Sequence, residues 1–345
     1  MLVGMITGPE RIELIEMPEP EPHDGHAVVA IERCGICGTD VAAYRSGKPY
    51  TPFLHGHEWC GTVTAIGRGV GGVSPGDRVV CGSPRACGRC AECLAGLGQR
   101  CARIMDLRGP HGAAPPAHGG YATAISLDAR RLVPVPHDMD SDVAAQLEPA
   151  AVAMHGIRRS PIQLGDCVVV QGCGPIGLIA LQLARVAGAG LVIAIEPDPV
   201  RRALAAELGA DIVAAPGDSA TDIVRTSTNG LGAAVVVECA GTGSALDAAV
   251  TLARPGGWVT MIGVSSAPVT IEPGRWLIRE VTVTTSLAHT WADFERAIGL
   301  VGDGRLQLTP IHSATVGLDG LADAFAGLAA ADRGWHKVLV DPGLG

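Results

Sequence analysis

A chain of 345 residues with 47% apolar side chains has room for two domains with sizeable cores, and its 47 glycines and 24 prolines point to short strands and tight turns rather than helical bundles. A net charge of −9, from 26 basic and 35 acidic residues without a basic run, argues against a nucleic-acid-binding surface. No apolar run approaches the roughly 20 residues that span a bilayer, so no membrane partner is expected, and the eleven cysteines read as metal ligands or buried thiols of a cytoplasmic protein rather than as disulfides.

The N-terminal stretch MLVGMITGPERIELIEM reads as a strand pair and lacks the charged start and apolar core of a signal peptide. Short β-type runs follow at Ala27–Glu32, Gly61–Ile66, Asp77–Cys81 and Tyr121–Ile125, separated by Gly- and Pro-rich loops. Between the first two stands CGICGTDVAAY, which opens at Cys34. Its Cys-x-x-Cys pair admits three readings: a redox couple, half of a zinc knuckle, or one useful thiol, Cys37, beside a bystander. His57 and Glu58 come twenty residues after Cys37, and Glu148-Pro149 later opens a helix-like run. A thiolate, an imidazole and one or two carboxylates suit a catalytic zinc that keeps an exchangeable position. Spacing alone does not separate that site from an ordinary His-Glu pair.

Cys87, Cys90, Cys93 and Cys101 follow one another at spacings x2, x2 and x7. Four thiols so close can wrap one tetrahedral zinc with no open position, which makes the metal structural and lets it tether a loop without its own core. An iron–sulfur cluster is the rival reading, but Arg103 rather than proline follows Cys101-Ala102.

From Asp166 onward the rhythm changes. The runs CVVVQ, LVIAIE, DIVAA, AVVVECAG and WVTMIGV alternate with helix-like segments, the pattern of βαβ units and a parallel sheet. Gly172-Cys-Gly174-Pro-Ile-Gly177 lies between the first strand and its helix. There the first glycine makes the turn, the second admits a pyrophosphate and the third packs helix on strand, with the helix N-terminus facing the phosphates. Glu196 closes the next strand; a carboxylate there accepts both ribose hydroxyls and repels a 2′-phosphate, which favours NAD over NADP. Cys173 reads as a space-filler. From about His289 come a helix, a short strand, another helix and HKVLVDP, a strand able to return to the first domain.

Together, GICGTD, GHEWCGTV, the four-cysteine lobe, the glycine loop and EPAAVAMHG resemble the zinc-dependent medium-chain dehydrogenase/reductase superfamily over about residues 1–340. Within it they resemble the polyol (sorbitol, butanediol) and threonine dehydrogenase branch, where Glu148-Pro149 replaces the cysteine of animal-type alcohol dehydrogenases. The resemblance implies an α/β chain with a GroES-like, mostly-β catalytic domain over 1–152, carrying the structural-zinc lobe at 81–105. A Rossmann, doubly wound parallel-sheet cofactor domain would occupy 153–288, a return to the first domain 289–345, and a cleft would lie between the domains.

It further implies two zinc ions per chain and NAD. Cys37 and His57 would be firm ligands of the catalytic zinc, Glu58 an adjacent carboxylate that binds or releases the metal, and Glu148 a ligand or the holder of its water. Asp40 would brace the ligand histidine. Ile176, Glu196 and Arg201 would contact the cofactor, with Ile262, Gly263, Val264, Ser286 and Leu287 toward its nicotinamide end. The implied reaction moves a hydride between a small alcohol or polyol and NAD, zinc making the alcohol more acidic and Thr39 accepting its proton. A homodimer or homotetramer is implied, paired through strands near residues 258–287. The rival functions are a non-catalytic dinucleotide-binding member and a zinc-free quinone or enone reductase; the intact ligand set and the four-cysteine lobe disfavour both.

One position departs from the pattern. A histidine that commonly stands five residues after the ligand cysteine is Ala42 here, so a proton must leave through water, cofactor hydroxyls or another side chain, with Tyr44 and His55 as nearby candidates. Trp59 suits core packing more than the substrate pocket, whose lining is expected from the loops around 44–59, 105–120 and 270–295. Cys34 reads as a bystander on its strand, and Cys60, Cys81, Cys167 and Cys239 as buried free thiols.

Overall fold

The computed structural model describes residues 1–47, 55–83, 86–102, 118–265, 267–330 and 335–344. Their strands, in chain order, are β1 (Leu2–Gly8), β2 (Arg11–Glu16), β3 (His26–Gly35), β4 (Glu58–Ile66), β5 (Arg78–Cys81), β6 (Ala124–Asp128), β7 (Leu132–Pro134), β8 (Cys167–Gln171), β9 (Leu191–Ile195), β10 (Ile212–Ala214), β11 (Ala233–Glu238), β12 (Ala253–Met261), β13 (Thr282–Thr285), β14 (Ala314–Val316) and β15 (Val338–Val340). The chain divides into two compact units: Met1–Glu148 with Thr290–Phe294 and His312–Gly345, and Pro149–His289 with Glu295–Ile311.

In the first unit, β1 and β2 form an antiparallel hairpin. The remaining strands form a sheet in the order β14-β15-β3-β4-β5-β7, with β6 also pairing β3. Val29, Ile31, Trp59, Val63, Val79 and Phe325 build its core. The expected strand Tyr121–Ile125 starts later, at Ala124. Tyr121 gives its carbonyl to Gly4 N, and Ala122 bridges Val3, so this stretch pairs with the hairpin before the chain joins β3.

The second unit is a parallel sheet in the order β10-β9-β8-β11-β12-β13, the doubly wound arrangement whose order reverses beside its first strand. Val168, Val169 and Val170 of β8 are fully buried, as a strand covered on both faces must be. The segment expected to return whole to the first domain is shared between the units: residues 295–311 belong to the second. There Gln182 holds them from helix Pro175–Val186, donating to Gln307 O and accepting from Gln307 N, and Leu306 and Leu308 are buried. No helix among the described residues is long and apolar enough to cross a membrane.

Candidate metal and dinucleotide sites

After β3 ends at Gly35, the chain enters helix Gly38–Ser46 with Cys37 at its N-cap. Asp40, in the first turn, reaches back so that its Oδ2 accepts from Cys37 N at 3.4 Å, a reciprocal capping arrangement that fixes the cysteine. β4 runs antiparallel to β3 and opens with Glu58 opposite Gly35. His57 and Glu58 thereby come up beside Cys37, and the donor atoms of all three lie within 4.8 Å of one another. Thr39 donates its hydroxyl to Cys37 Sγ at 3.2 Å, and His57 Nδ1 stands 3.9 Å from Asp40 Oδ1.

The electrostatics of this cluster favour a cation. Burial alone would push the His57 ring below its ordinary range, but Cys37, Asp40 and Glu148 hold it well above. Surroundings that retain a proton so firmly suit a divalent ion, which displaces it. Sulfur, nitrogen and carboxylate oxygen are the donor set that zinc takes in sites with an open position. Glu148, in the first turn of helix Leu147–Arg158, acts on His57 electrostatically but lies outside the mutual 4.8 Å set.

Glu58 has a partner that sequence reasoning missed. Lys337 donates from Nζ to Glu58 Oε2, with the two side chains only 2% and 3% exposed, and also to Ile36 O at 3.4 Å. Leu339 of β15 lies opposite Gly35, which brings Lys337 to the end of β3. A Cβ at Gly35 would collide with the Glu58 carboxylate and come within 3.2 Å of Lys337 Nζ, so glycine is required there. Burial pushes the ammonium down, yet Glu58, Cys37 and Glu148 outweigh it and hold Lys337 above its ordinary range.

The four cysteines of the lobe also converge, their sulfurs all within 4.8 Å. Cys87 and Cys93 are 4.0 Å apart and Cys90 and Cys101 3.8 Å. Four sulfurs at 2.3 Å from a central zinc would stand about 3.8 Å apart in a tetrahedron; a cluster of several irons would hold them farther apart. Cys34 is fully buried, with Sγ directed at Gly35 O, and burial pushes its thiol well up. Cys60 contacts Ser141 O and is pushed up to about 12, whereas Cys167 and Cys239 are half-buried.

In the second unit, the glycine loop lies where β8 and β11 adjoin. Gly172 has φ +82, and a Cβ on it would stand 2.8 Å from the Ala240 backbone. A Cβ on Gly177 would collide with the Gly172 carbonyl, whereas nothing lies within 4 Å of one on Gly174. The loop is thus tight at its first and third glycines and open at its second, where a pyrophosphate needs room. Gln171 Oε1 and Ser286 Oγ, buried at the carboxyl ends of β8 and β13, have no hydrogen-bond partner among the described residues, which fits a site completed by a polar ligand. Glu196 is buried and already engaged: Oε2 accepts from Cys173 N at 2.6 Å and Oε1 from Asp198 N at 3.0 Å, with Arg201 Nη1 4.0 Å away. Each oxygen keeps a second lone pair for a ribose hydroxyl. Cys173 is fully buried and pushed up to about 12. Ile176 and Gly263 are half-buried, Ile262 is buried, and Val264 and Leu287 are exposed.

Tyr44 packs on Phe325, ring centroids 5.3 Å apart, and Trp59 is 2% exposed, so both belong to the core. Ala42 is on the exposed side of its helix, and His55 is buried. Within the expected substrate loops, residues 48–54 and 105–117 lie outside the described residues.

Comparison with known proteins shows the family. Residues 23–137 match the model of the alcohol dehydrogenase GroES-like domain, and 175–303 that of the zinc-binding dehydrogenases. The chain is 30% identical to 2-dehydro-3-deoxy-L-galactonate 5-dehydrogenase of Pseudoalteromonas atlantica, over 99% of this chain and 98% of that one. It is also 30% identical to (R,R)-butanediol dehydrogenase of Bacillus subtilis, over 96% of each. Among solved structures, a zinc-binding dehydrogenase of Sinorhizobium meliloti bound to NADP superposes with a TM-score of 0.85, at 34% identity and 99% coverage of both chains.

Proposed function

The chain belongs to the zinc-dependent medium-chain dehydrogenases, and from that premise we propose that it moves a hydride between a secondary alcohol or polyol and NAD, with two zinc ions per chain. The convergence of Cys37, His57 and Glu58, with the Thr39 hydroxyl 3.2 Å from the cysteine sulfur, carries this reading. Cys37, His57 and a carboxylate, Glu58 or Glu148, would hold the catalytic metal, and Cys87, Cys90, Cys93 and Cys101 the structural one. Bound zinc supplies Lewis acidity, which lowers the pKa of water from about 15.7 to about 7 and acts likewise on an alcohol. The nicotinamide supplies the carbon that takes or gives the hydride.

The chain's own residues orient and move protons. Asp40 faces His57 Nδ1, which leaves Nε2 for the metal. Thr39 has a hydroxyl able to take the alcohol proton, while Ala42 cannot pass it on, so water or ribose hydroxyls complete the path. Glu196 favours NAD because a carboxylate repels a 2′-phosphate, and Arg201 stands beside it. None of the eleven cysteines is joined in a disulfide, which suits a reducing, cytoplasmic setting. Association into a dimer or tetramer is part of the reading. β13 is the outer strand of its sheet, and Leu277 and Ile278 on the preceding helix Pro273–Arg279 are 78% and 85% exposed, features that favour pairing.

The test is metal analysis together with an NAD-reduction screen over secondary alcohols, diols, sugar alcohols, cyclitols and threonine, with and without chelator. Two zinc ions per chain and chelator-sensitive NAD reduction are expected. Activity insensitive to chelator, with NADPH and an enone or quinone, would overturn the reading.

A further inference from the structure

We infer that Tyr121 is a positioning residue for this metal centre, its hydroxyl fixing the Asp40 carboxylate that sets the His57 ring; the inference rests on the reading of Cys37, His57 and Glu58 as a zinc site. Asp40 is fully buried. Its Oδ2 accepts from Tyr121 Oη–H at 2.7 Å, from Gly56 N at 3.2 Å and from Cys37 N at 3.4 Å. The tyrosine bond is the shortest of the three and the one made by a side chain that a substitution can alter. With Oδ2 so occupied, Oδ1 is the oxygen turned toward His57 Nδ1. One carboxylate therefore joins three separate segments: the Cys37 turn, the Gly56-His57 approach to β4, and the strand entry at Tyr121.

Tyr121 is itself held from several directions. It is 1% exposed, and its ring meets Phe325 edge-on at 5.7 Å and 86°. Gly56 has φ +64, and a Cβ there would stand 3.1 Å from the tyrosine Cδ1 and Cε1. The Tyr121 carbonyl accepts from Gly4 N at 2.8 Å. A phenylalanine would satisfy all of this packing. What the hydroxyl adds is a charge-assisted bond to a buried carboxylate, and such bonds are about twice as strong as neutral ones. Groups that brace a metal's ligands typically change metal affinity about 10–100-fold when lost. Tyr121 acts one bond farther out, through Asp40, so the lower end of that range is expected.

The experiment uses full-length protein carrying Tyr121→Phe and follows zinc release to a chromophoric chelator. The two zinc ions give two phases, assigned with Cys37→Ser for the catalytic site and Cys90→Ser for the lobe. Release from the Cys37 site should quicken about tenfold while the four-cysteine phase stays unchanged. In cobalt-substituted protein, the visible bands of the Cys37 site should shift. Unchanged release, or equal acceleration of both phases, would overturn the role of Tyr121. If wild-type protein has no phase that Cys37→Ser removes, the metal-site reading itself falls, and this inference with it.

Discussion

The ion pair between Lys337 and Glu58 offers the sharpest test of how the cluster of Cys37, His57 and Glu58 is built. Lys337→Met removes the ammonium while keeping most of the stem, and leaves the Glu58 carboxylate buried without its cation. Two unit charges in contact at an effective dielectric of 20 interact by roughly 4 kcal/mol, and removing one partner of a buried pair costs about 3–5 kcal/mol. For a unit of this size each kcal/mol lowers Tm by about 2–4 °C, so a fall of about 10 °C is expected.

The assay is thermal unfolding at a fixed scan rate with chelator present, so that no metal stands in for the lost ammonium. Lys337→Met/Glu58→Leu should recover at least half of the loss, because an apolar pair of similar volume is often as stable as the buried ion pair it replaces. Zinc added back should narrow the gap between Lys337→Met and wild type, since the metal then gives Glu58 another cation. A fall of less than about 2 °C, or a double variant no more stable than the single one, would refute the reasoning.

In the lobe, Cys90→Ser should leave one zinc per chain and make residues 86–102 sensitive to limited proteolysis; retention of both ions would contradict a four-thiolate site. Glu196→Gln keeps an acceptor for Cys173 N but removes the charge, so KM for NADP should fall about tenfold, or 1.4 kcal/mol, and an unchanged NADP KM would count against the assignment. Glu238 is buried and, by that burial, raised above its ordinary range despite accepting from Ala240 N and Gly241 N. The folded state then binds the proton more tightly than the unfolded one, so wild type loses stability as pH rises from 4.5 through the folded pKa; Glu238→Gln should gain on wild type across that window in urea titrations, and a pH-independent difference would refute it. Ile278→Glu should shift the sedimentation profile toward monomer if the helix before β13 lies in the subunit contact, and an unchanged profile would exclude that face.

The parts of the sites that were legible in the sequence are those that local spacing encodes. Cys87, Cys90, Cys93 and Cys101 lie within one short run, and the glycine loop stands at a switch from β to helical rhythm. Cys37, His57 and Glu58 needed the resemblance of their flanking motifs as well, because spacing alone left them ambiguous. Lys337 and Tyr121 were out of reach for a physical reason. Their partners lie 279 and 81 residues away, and a single sequence does not state strand order. HKVLVDP reads as a strand whichever neighbour it joins; only its pairing with β3 places the lysine on Glu58. Gly35 carried a signal that could have been weighed, since glycine at a strand end often marks close approach of another group. The hand-over of residues 295–311 was hidden similarly, because it depends on Gln182 and Gln307 meeting across 125 residues.

These long-range contacts explain why the first unit needs its C-terminal return. Residues 312–345 contribute Phe325, which stops the Tyr121 ring, and Lys337, which neutralises Glu58. They also contribute Asp341, which joins Asp142 in clasping Arg33 one residue before the buried Cys34. Asp40, Glu58 and Glu148 gather carboxylates around Cys37 that a small β unit could not bury unassisted. Lys337 meets that cluster with its ammonium at Glu58, and, burial notwithstanding, Cys37, Asp40 and Glu148 hold His57 above its ordinary range. In the proposed zinc site the metal would take the place of a proton on His57 and leave the lysine, because the ammonium meets Glu58 from the end of β15 and also bonds the Ile36 carbonyl. On that reading Lys337 would belong to the scaffold and His57 to the exchangeable part of the site, a difference that follows from which strand delivers each.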